Sequence, residues 1–254
     1  FIEDVSTGIA QINFESNPKR ENCISGEMML ELQDIVGRLE QWQTGKAAIL
    51  RRRWAVSSAP VGNRGDDEGH WHQRRRPARW HTSCKTRSSY GFTKLRMLTV
   101  ALVEGRALGW GRSELTASCP TSDSLRRTRR SSLCTCGWES CPPGAVSLGL
   151  TRLVGPQLAL DLITTGRVLG GRGSGANGLC QCPAGRQRTP WTEAVTWLQE
   201  RLKPPIRLIR DAKAAVVAAR DLPFADALRK EAQLFAPLWG GDHNKEALAR
   251  NIKH

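Results

Sequence analysis

The first fifty residues place an amphipathic helical pattern between two strand patterns, and this arrangement most constrains the fold. Ala10, Ile12 and Phe14 alternate with polar residues, which predicts a half-buried strand. Residues 46–50 are almost wholly apolar and predict a second, buried strand. Between them, one face of a helix over residues 26–42 carries apolar side chains at helical spacing, namely Met28, Leu32, Ile35, Leu39 and Trp42.

The second half of the chain continues the same alternation and then becomes helical. Residues 98–103 predict another buried strand, bounded by Gly105. Helices are expected at residues 191–202, 206–220 and 224–238, with a last one at 245–252, and Pro204-Pro205 separates the first two. Alternating strands and helices followed by a helical tail predict an α/β fold with a mostly parallel or mixed sheet.

The net charge of +14 is concentrated in three segments in which apolar residues follow neither the helical nor the strand period. Residues 51–94, 120–148 and 168–190 carry +8, +2 and +3, so the rest of the chain is nearly neutral. They also hold six of the eight cysteines. One interpretation is that these three atypical segments are basic arms for nucleic acid. The other interpretation is that their reading frame is disturbed, and the shifted-frame matches described below favour this second interpretation.

Cysteine spacing and hydropathy argue against a zinc-finger protein and against a membrane-spanning protein. Cys134/Cys136 and Cys180/Cys182, with His70, His72 and His81, do not have the spacing of a standard zinc finger. No apolar run approaches the roughly 20 residues of a membrane span. The first residues, which lack Met and an apolar leader, favour a chain that begins within a longer protein.

Three longer stretches and one short one have patterns that are specific enough to compare with known families. The first is NPKRENCISGEMML at residues 17–30, continuing to Trp42 and Gly45-Lys46. The second is VALVEGRALG at 100–109, followed by SELTASC at 113–119. The third runs from Trp191 to His254, and Thr151–Gly155 adds a short fourth piece, so that together they cover roughly two-thirds of the chain. These pieces resemble the ethylmalonyl-CoA decarboxylase family of the crotonase (enoyl-CoA hydratase/isomerase) superfamily, and the second resembles the signature loop of the superfamily.

The resemblance implies a single domain over residues 1–254, N-terminally incomplete, with the ClpP/crotonase-like α/β fold and C-terminal helices. It implies a carboxy-lyase that removes carbon dioxide from ethylmalonyl-CoA or methylmalonyl-CoA, with two backbone N–H groups stabilising the thioester enolate. It also implies a cytosolic trimer or hexamer that uses CoA as part of its substrate. No metal, flavin or pyridoxal cofactor, nucleic acid or membrane partner is implied.

The family pattern assigns the catalytic positions to Gly109, Trp110, Gly111 and Glu114, in the loop after the strand at residues 98–103. Four further positions are assigned to substrate binding because they match the first piece or the expected first oxyanion turn: Lys19, Asn22, Ser58 and Ala59. Glu114 is interpreted equally well as an acid stabilised by a helix start, and Glu139 is the only acid near the expected pocket loop. Lys213 and Lys230 are interpreted either as contacts to CoA phosphates or as solvated surface charges.

Three departures from the family pattern lower the expected activity. The Gly triplet has Trp110 where the family has Gly, with one extra residue before Glu114. No Ser-Gly turn occurs near residues 57–59, and the stretch expected to form the floor of the acyl pocket, near residues 138–148, is unlike the family. With permitted codons, however, residues 56–62 translate in a shifted frame as FFCSGG, which is the missing turn. Residues 63 onward, 132–139 and 173–185 also give family-like sequence in other frames. An enoyl-CoA hydratase or isomerase, and a catalytically impaired remnant, stay open as alternatives.

Overall fold

The computed structural model describes residues 2–4, 6–14, 26–52, 91–103, 122–125, 131–132, 146–165, 168–169 and 189–249. Its strands are β1 (Ile2–Asp4), β2 (Ile9–Phe14), β3 (Ala47–Arg52), β4 (Leu98–Val103), β5 (Ser122–Leu125), β6 (Ser131–Ser132) and β7 (Val168–Leu169). Its helices are α1 (Gly26–Gln41), α2 (Val146–Val154), α3 (Pro156–Thr165), α4 (Pro190–Arg201), α5 (Ile206–Asp221), α6 (Phe224–Phe235) and α7 (Asp242–Ala249). A helical turn at residues 91–94 precedes β4.

The main sheet has the strand order β1-β2-β3-β4-β5. β1 pairs antiparallel to β2, whereas β2, β3, β4 and β5 are parallel to one another. The predicted strands at residues 46–50 and 98–103 are confirmed as β3 and β4, and the alternation at Ala10–Phe14 is confirmed as β2. β6 and β7 form a separate antiparallel pair.

One face of the sheet packs against α1. Ala10 and Ile12 of β2 and Leu50 of β3 share a buried cluster with the apolar stripe of the helix and with residues that precede β4: Leu32, Val36, Leu39, Phe92, Leu95 and Met97. The predicted helix is confirmed, beginning at Gly26 and ending one residue before Trp42. The period-3.6 stripe therefore covers the even-numbered residues of β2 and β3.

The other face of the sheet packs against the C-terminal helices. The odd-numbered residues Ile9, Ala47 and Ile49, with Val100 and Leu102 of β4, contact four buried residues of α4 and the chain that follows it: Ala194, Leu198, Leu202 and Ile209. Both faces of the central strands are covered, which explains why residues 47–50 of β3 and residues 100–103 of β4 are continuous apolar runs rather than alternating ones.

Helix α5 is joined to the sheet by buried charged groups as well as by apolar contacts. Lys213 is 6% exposed, and its Nζ donates to the carbonyl oxygen of Met97 at 2.6 Å and to Thr99 Oγ1 at 3.1 Å. Asp211, 7% exposed, accepts a hydrogen bond from Arg96 at 3.0 Å. The interpretation of Lys213 as a solvated surface charge is therefore wrong, because its ammonium group binds the chain entering β4.

Arg210 connects α5 to the end of α1. Its Nη2 donates to the carbonyl oxygens of Trp42 at 2.7 Å and Gly45 at 3.1 Å. Burial lowers the pKa of Arg210, and the nearby charge of Arg96 lowers it further. The guanidinium group therefore holds together the turn that follows α1, in which the N–H of Gly45 also donates to the carbonyl oxygen of Trp42 at 3.3 Å.

Two helices in the middle of the chain lacked a clear sequence signal. α2 and α3 pack against each other through Leu150, Ala159 and Leu162. Gly155 separates them with φ of +82°, a conformation that glycine adopts without steric cost. The atypical segment 51–94 meets described structure at both ends, since Arg51 and Arg52 complete β3 and Phe92 is 2% exposed in the core.

Candidate active site at the carboxyl edge of the sheet

The carboxyl ends of the four parallel strands lie in one row. Phe14 of β2 is opposite Arg52 of β3, Arg52 is opposite Val103 of β4, and Val103 is opposite Leu125 of β5. Neighbouring strands lie about 4.8 Å apart, so the chain leaves the sheet at adjacent points of one edge. In open parallel sheets this carboxyl edge is where ligands bind.

The predicted site residues follow three strands whose carboxyl ends are neighbours in this row. Lys19 and Asn22 follow β2, whereas Ser58 and Ala59 follow β3. The four predicted catalytic residues follow β4: Gly109, Trp110, Gly111 and Glu114. All eight lie outside the described residues, as does Glu139, so their assigned roles stay predictions. The strands that precede the two expected oxyanion segments are direct neighbours, as the proposed chemistry requires.

Arg51 and Trp191 form a described contact near the same edge. The guanidinium carbon of Arg51, the penultimate residue of β3, lies 5.4 Å from the ring centroid of Trp191. This distance is typical of a cation–π interaction. The odd-numbered residues of β3 face the C-terminal helices, so alternation along the strand could have placed Arg51 on this face, although the sequence alone did not identify its aromatic partner.

The contact places the amino end of α4 beside the carboxyl edge. Thr189 caps this helix, because its Oγ1 accepts a hydrogen bond from the backbone N–H of Thr192 at 3.3 Å, and Pro190 occupies the first turn. Within the described part of the chain, Glu193 Oε2 is buried without a hydrogen-bond partner. The positive end of the α4 helix dipole therefore lies near the carboxyl end of β3, since Trp191 in the first turn of α4 contacts Arg51.

The described residues also bear on metal ligands, on membrane-spanning helices and on the two candidate lysines of the C-terminal helices. No three His, Cys, Asp or Glu side chains in the described ranges come together as a metal site, and the paired cysteines with their histidines lie outside those ranges. None of the helices that the structure describes is long and apolar enough to cross a membrane. Lys213 contacts the amino end of β4, the edge opposite the candidate active site, and Lys230 is exposed on α6.

Comparison with known proteins identifies related chains. No family model matches the sequence. Ethylmalonyl-CoA decarboxylase of Danio rerio is 33% identical over 261 residues, covering 98% of this chain and 82% of the relative. The Homo sapiens and Bos taurus proteins of the same name are each 30% identical, and each alignment covers 99% of this chain and 80% of the relative.

Solved structures show the same fold. AtuE of Pseudomonas aeruginosa superposes with a TM-score of 0.81 at 20% identity, covering 95% of this chain and 92% of that chain. Enoyl-CoA hydratase of Bacillus anthracis gives a TM-score of 0.79 at 19% identity, covering 95% and 91%. The predicted α/β class and crotonase-like architecture are confirmed by these superpositions. The chain therefore belongs to the ethylmalonyl-CoA decarboxylase family and has the crotonase fold of the enoyl-CoA hydratases.

Proposed function

We propose that this chain is an acyl-CoA decarboxylase by descent, a carboxy-lyase for ethylmalonyl-CoA and for methylmalonyl-CoA. The observation that carries the proposal is the pairing of Arg52 with Val103, which starts the segments after β3 and β4 at adjacent points of one sheet edge. Two backbone donors on one thioester oxygen need such neighbouring strands. The identity to relatives named ethylmalonyl-CoA decarboxylase supports the choice of substrate.

In the proposed reaction the bond between the free carboxylate and the α-carbon breaks, and its electron pair moves into a thioester enolate. Carbon dioxide leaves, and the α-carbon then takes a proton to give the acyl-CoA. Backbone N–H groups near Ala59 and at position 110 would donate to the thioester oxygen, where charge develops. One such donor is worth roughly 10²–10³ in rate. The CoA moiety, held by residues that include Lys19 and Asn22, would orient the carboxylate.

No metal or organic cofactor has a role in this proposal, because the donors themselves stabilise the enolate. Following the resemblance, we place the protein in the cytosol. A homo-oligomer, trimeric or hexameric, is supported by the apolar surface of the C-terminal helices. Phe224 is 81% exposed and Trp239 69%, while Leu228 and Phe235 continue the same stretch at 50% and 53%. A second copy of the chain would bury this surface.

Two alternatives differ from the main proposal in the residues they require. An enoyl-CoA hydratase or isomerase would use Glu114 and a second acid in the pocket loop, where only Glu139 is present. A catalytically impaired remnant is favoured by Trp110, whose side chain would crowd a position built for glycine. Such a remnant would keep the fold and the family membership but would have lost most of the rate of decarboxylation.

The test is carbon dioxide release from ethylmalonyl-CoA by the chain and by repaired versions. We expect little turnover from the chain itself and little gain from Trp110→Gly alone, because both donors act on the same oxygen. The full repair combines Trp110→Gly with deletion of the extra residue before Glu114 and a Ser-Gly turn at residues 57–59. It should release carbon dioxide at least 10²-fold faster, on the order of one restored donor.

Two controls separate the alternatives. The same repaired chain with enoyl-CoA as substrate reports hydration, which the proposal expects to be slower than decarboxylation. Retention on immobilised CoA shows whether the substrate site persists when turnover is low. A fully repaired, folded chain that hydrates enoyl-CoA but releases no carbon dioxide would exclude the decarboxylase assignment.

A further inference from the structure

A cleft lies at the opposite end of the sheet from the candidate active site. It is bounded by residues 94–96, by the second half of α5 and by Lys230 of α6, and it has a volume of about 390 Å³. Residues 94–96 lead directly into the amino end of β4, whereas the expected oxyanion segments follow the carboxyl ends. The volume falls within the range of small-molecule sites, which is about 300–1,000 Å³.

The floor of this amino-edge cleft is apolar. Leu95 is 1% exposed and Ala218 is 7% exposed, while Val217 is half-buried beside them. Ala214, one helical turn before Ala218, extends the same strip along α5. Small and branched side chains at this spacing leave a shallow channel along the helix. An apolar chain placed there would lose contact with water on one side along its length.

The rim of the cleft is cationic. Lys94 and Lys230 are exposed, and the side chain of Arg96 is 63% exposed although it pairs with Asp211. Several cationic groups therefore face the same solvent-accessible opening. Charges of one sign around a cleft concentrate counter-ions of the other sign.

Among the described residues that line the cleft, Asp221 is the one acid, and its charge is largely taken up by other partners. Its carboxylate already pairs with Arg220 at 2.8 Å and with Arg152 at 2.9 Å. The hydrogen bond from Arg220 is the main reason that the pKa of Asp221 is low, and the positive charges of Arg152 and Lys94 act in the same direction. The carboxylate is therefore paired mainly with Arg220 and Arg152, so among the described lining residues the cationic groups stay in excess.

We propose that the amino-edge cleft binds a small amphipathic anion, with an apolar chain along Leu95, Val217 and Ala218 and an anionic head between Lys94, Arg96 and Lys230. A carboxylate and a phosphate share this head-group chemistry. The cleft contains none of the eight positions assigned to catalysis and substrate binding, so its existence does not depend on the decarboxylase proposal. It is a second binding site in the family fold.

Isothermal titration calorimetry with octanoate and octyl phosphate tests the proposal, with inorganic phosphate and butyrate as the head groups without a long chain. We expect one equivalent of an octyl ligand to bind and both short anions to bind at least tenfold more weakly. Comparing the two octyl ligands identifies which head group is preferred. Lys230→Glu should weaken the preferred ligand at least tenfold, since it reverses a rim charge on an exposed helix position.

Lys203→Glu is the matched control. It makes the same change of charge at an exposed position before α5, ten residues before Lys213, which is the first residue of α5 that lines the cleft. This variant should change the affinity less than twofold. Val217→Gln tests the floor and should weaken octyl binding while leaving inorganic phosphate unchanged.

Three results would overturn the proposal. The first is an absence of saturable octyl binding at millimolar ligand. The second is equal binding of inorganic phosphate and octyl phosphate, which would indicate simple anion adsorption. The third is equal weakening by the Lys230→Glu and Lys203→Glu variants, which would indicate a general charge effect. Thermal unfolding of each variant confirms that the comparison is made between folded chains.

Discussion

Lys213 offers the sharpest test of what holds the sheet and the C-terminal helices together. Its ammonium group is buried and donates two hydrogen bonds to the chain that enters β4, at Met97 and Thr99. Hydrogen bonds to charged groups contribute about 1.5–3 kcal/mol each, but burying an ammonium group costs several kcal/mol. The net contribution of Lys213 is the difference between these opposing quantities.

Lys213→Met removes the donor while keeping most of the apolar stem. Because the carbonyl oxygen of Met97 and the hydroxyl of Thr99 stay in place without this donor, we expect a loss of about 2–4 kcal/mol in the free energy of unfolding. For a chain of this length, each kcal/mol corresponds to about 2–4 °C, so the melting temperature should fall by about 5–15 °C. Chemical denaturation with the parent as reference gives the free energy directly.

Two further variants locate the effect. Lys203→Met makes the same change at an exposed position and should alter stability by less than about 0.5 kcal/mol. Thr99→Val removes the weaker of the two acceptors and should cost about 1–2 kcal/mol. In the double variant with Lys213→Met, the two losses should not add, because they share one interaction. A Lys213→Met chain as stable as the parent would refute the reasoning, since it would show that burial of the charge cancels its hydrogen bonds.

Three other predictions follow from the structure and the sequence. Gly45→Ala should destabilise the fold by about 1–3 kcal/mol, because a Cβ there would overlap the indole of Trp42. Gly37→Ala in α1, where a Cβ would meet no atom within 4 Å, should instead stabilise the fold by up to about 1 kcal/mol, and urea melts of the two variants measure both changes. Asp221 has a lowered pKa in the folded chain, because its carboxylate accepts a hydrogen bond from Arg220. Its stabilisation is therefore present above its unfolded pKa of about 3.9 and is lost as pH falls through the lower folded value, so Asp221→Asn should flatten the decline in the free energy of unfolding below about pH 4, as measured by urea melts over this pH range. The nucleotide sequence of the locus, read with matched transcripts, should place frame changes at the three atypical segments, and an uninterrupted frame supported by transcripts would disprove that account.

Local pattern in the sequence was enough to predict the framework of the fold. The stripe from Met28 to Leu39 predicted α1 to within a residue, and the apolar runs predicted β3 and β4. Proline predicted the break between α4 and α5, since it cannot continue a helix with normal hydrogen bonding. These signals are local because each depends only on side-chain spacing along one element.

The sequence did not predict the elements whose stability depends on distant partners. α2 and α3 are short and pack mainly on each other, so their apolar residues show a helical period over only two or three turns. β5 has the polar sequence Ser-Asp-Ser-Leu, and it is recognised as a strand only through its pairing with β4. The candidate active site was predicted from family resemblance rather than from local pattern, and its loop residues await a direct test.

The sequence by itself determined the longer elements β2, α1, β3, β4 and α4 to α6, their order and the family, because periodicity, proline positions and the matching motifs depend only on the order of residues along the chain. Only the tertiary structure decided which strands are neighbours, and therefore that the segments after β3 and β4 leave from adjacent points. It also decided the role of Lys213, which helical spacing could place on α5 but could not assign to the carbonyl oxygen of Met97, 116 residues earlier in the chain. The physical reason is that strand pairing and buried hydrogen bonds join groups far apart in sequence, and their partners exist only once the chain has folded.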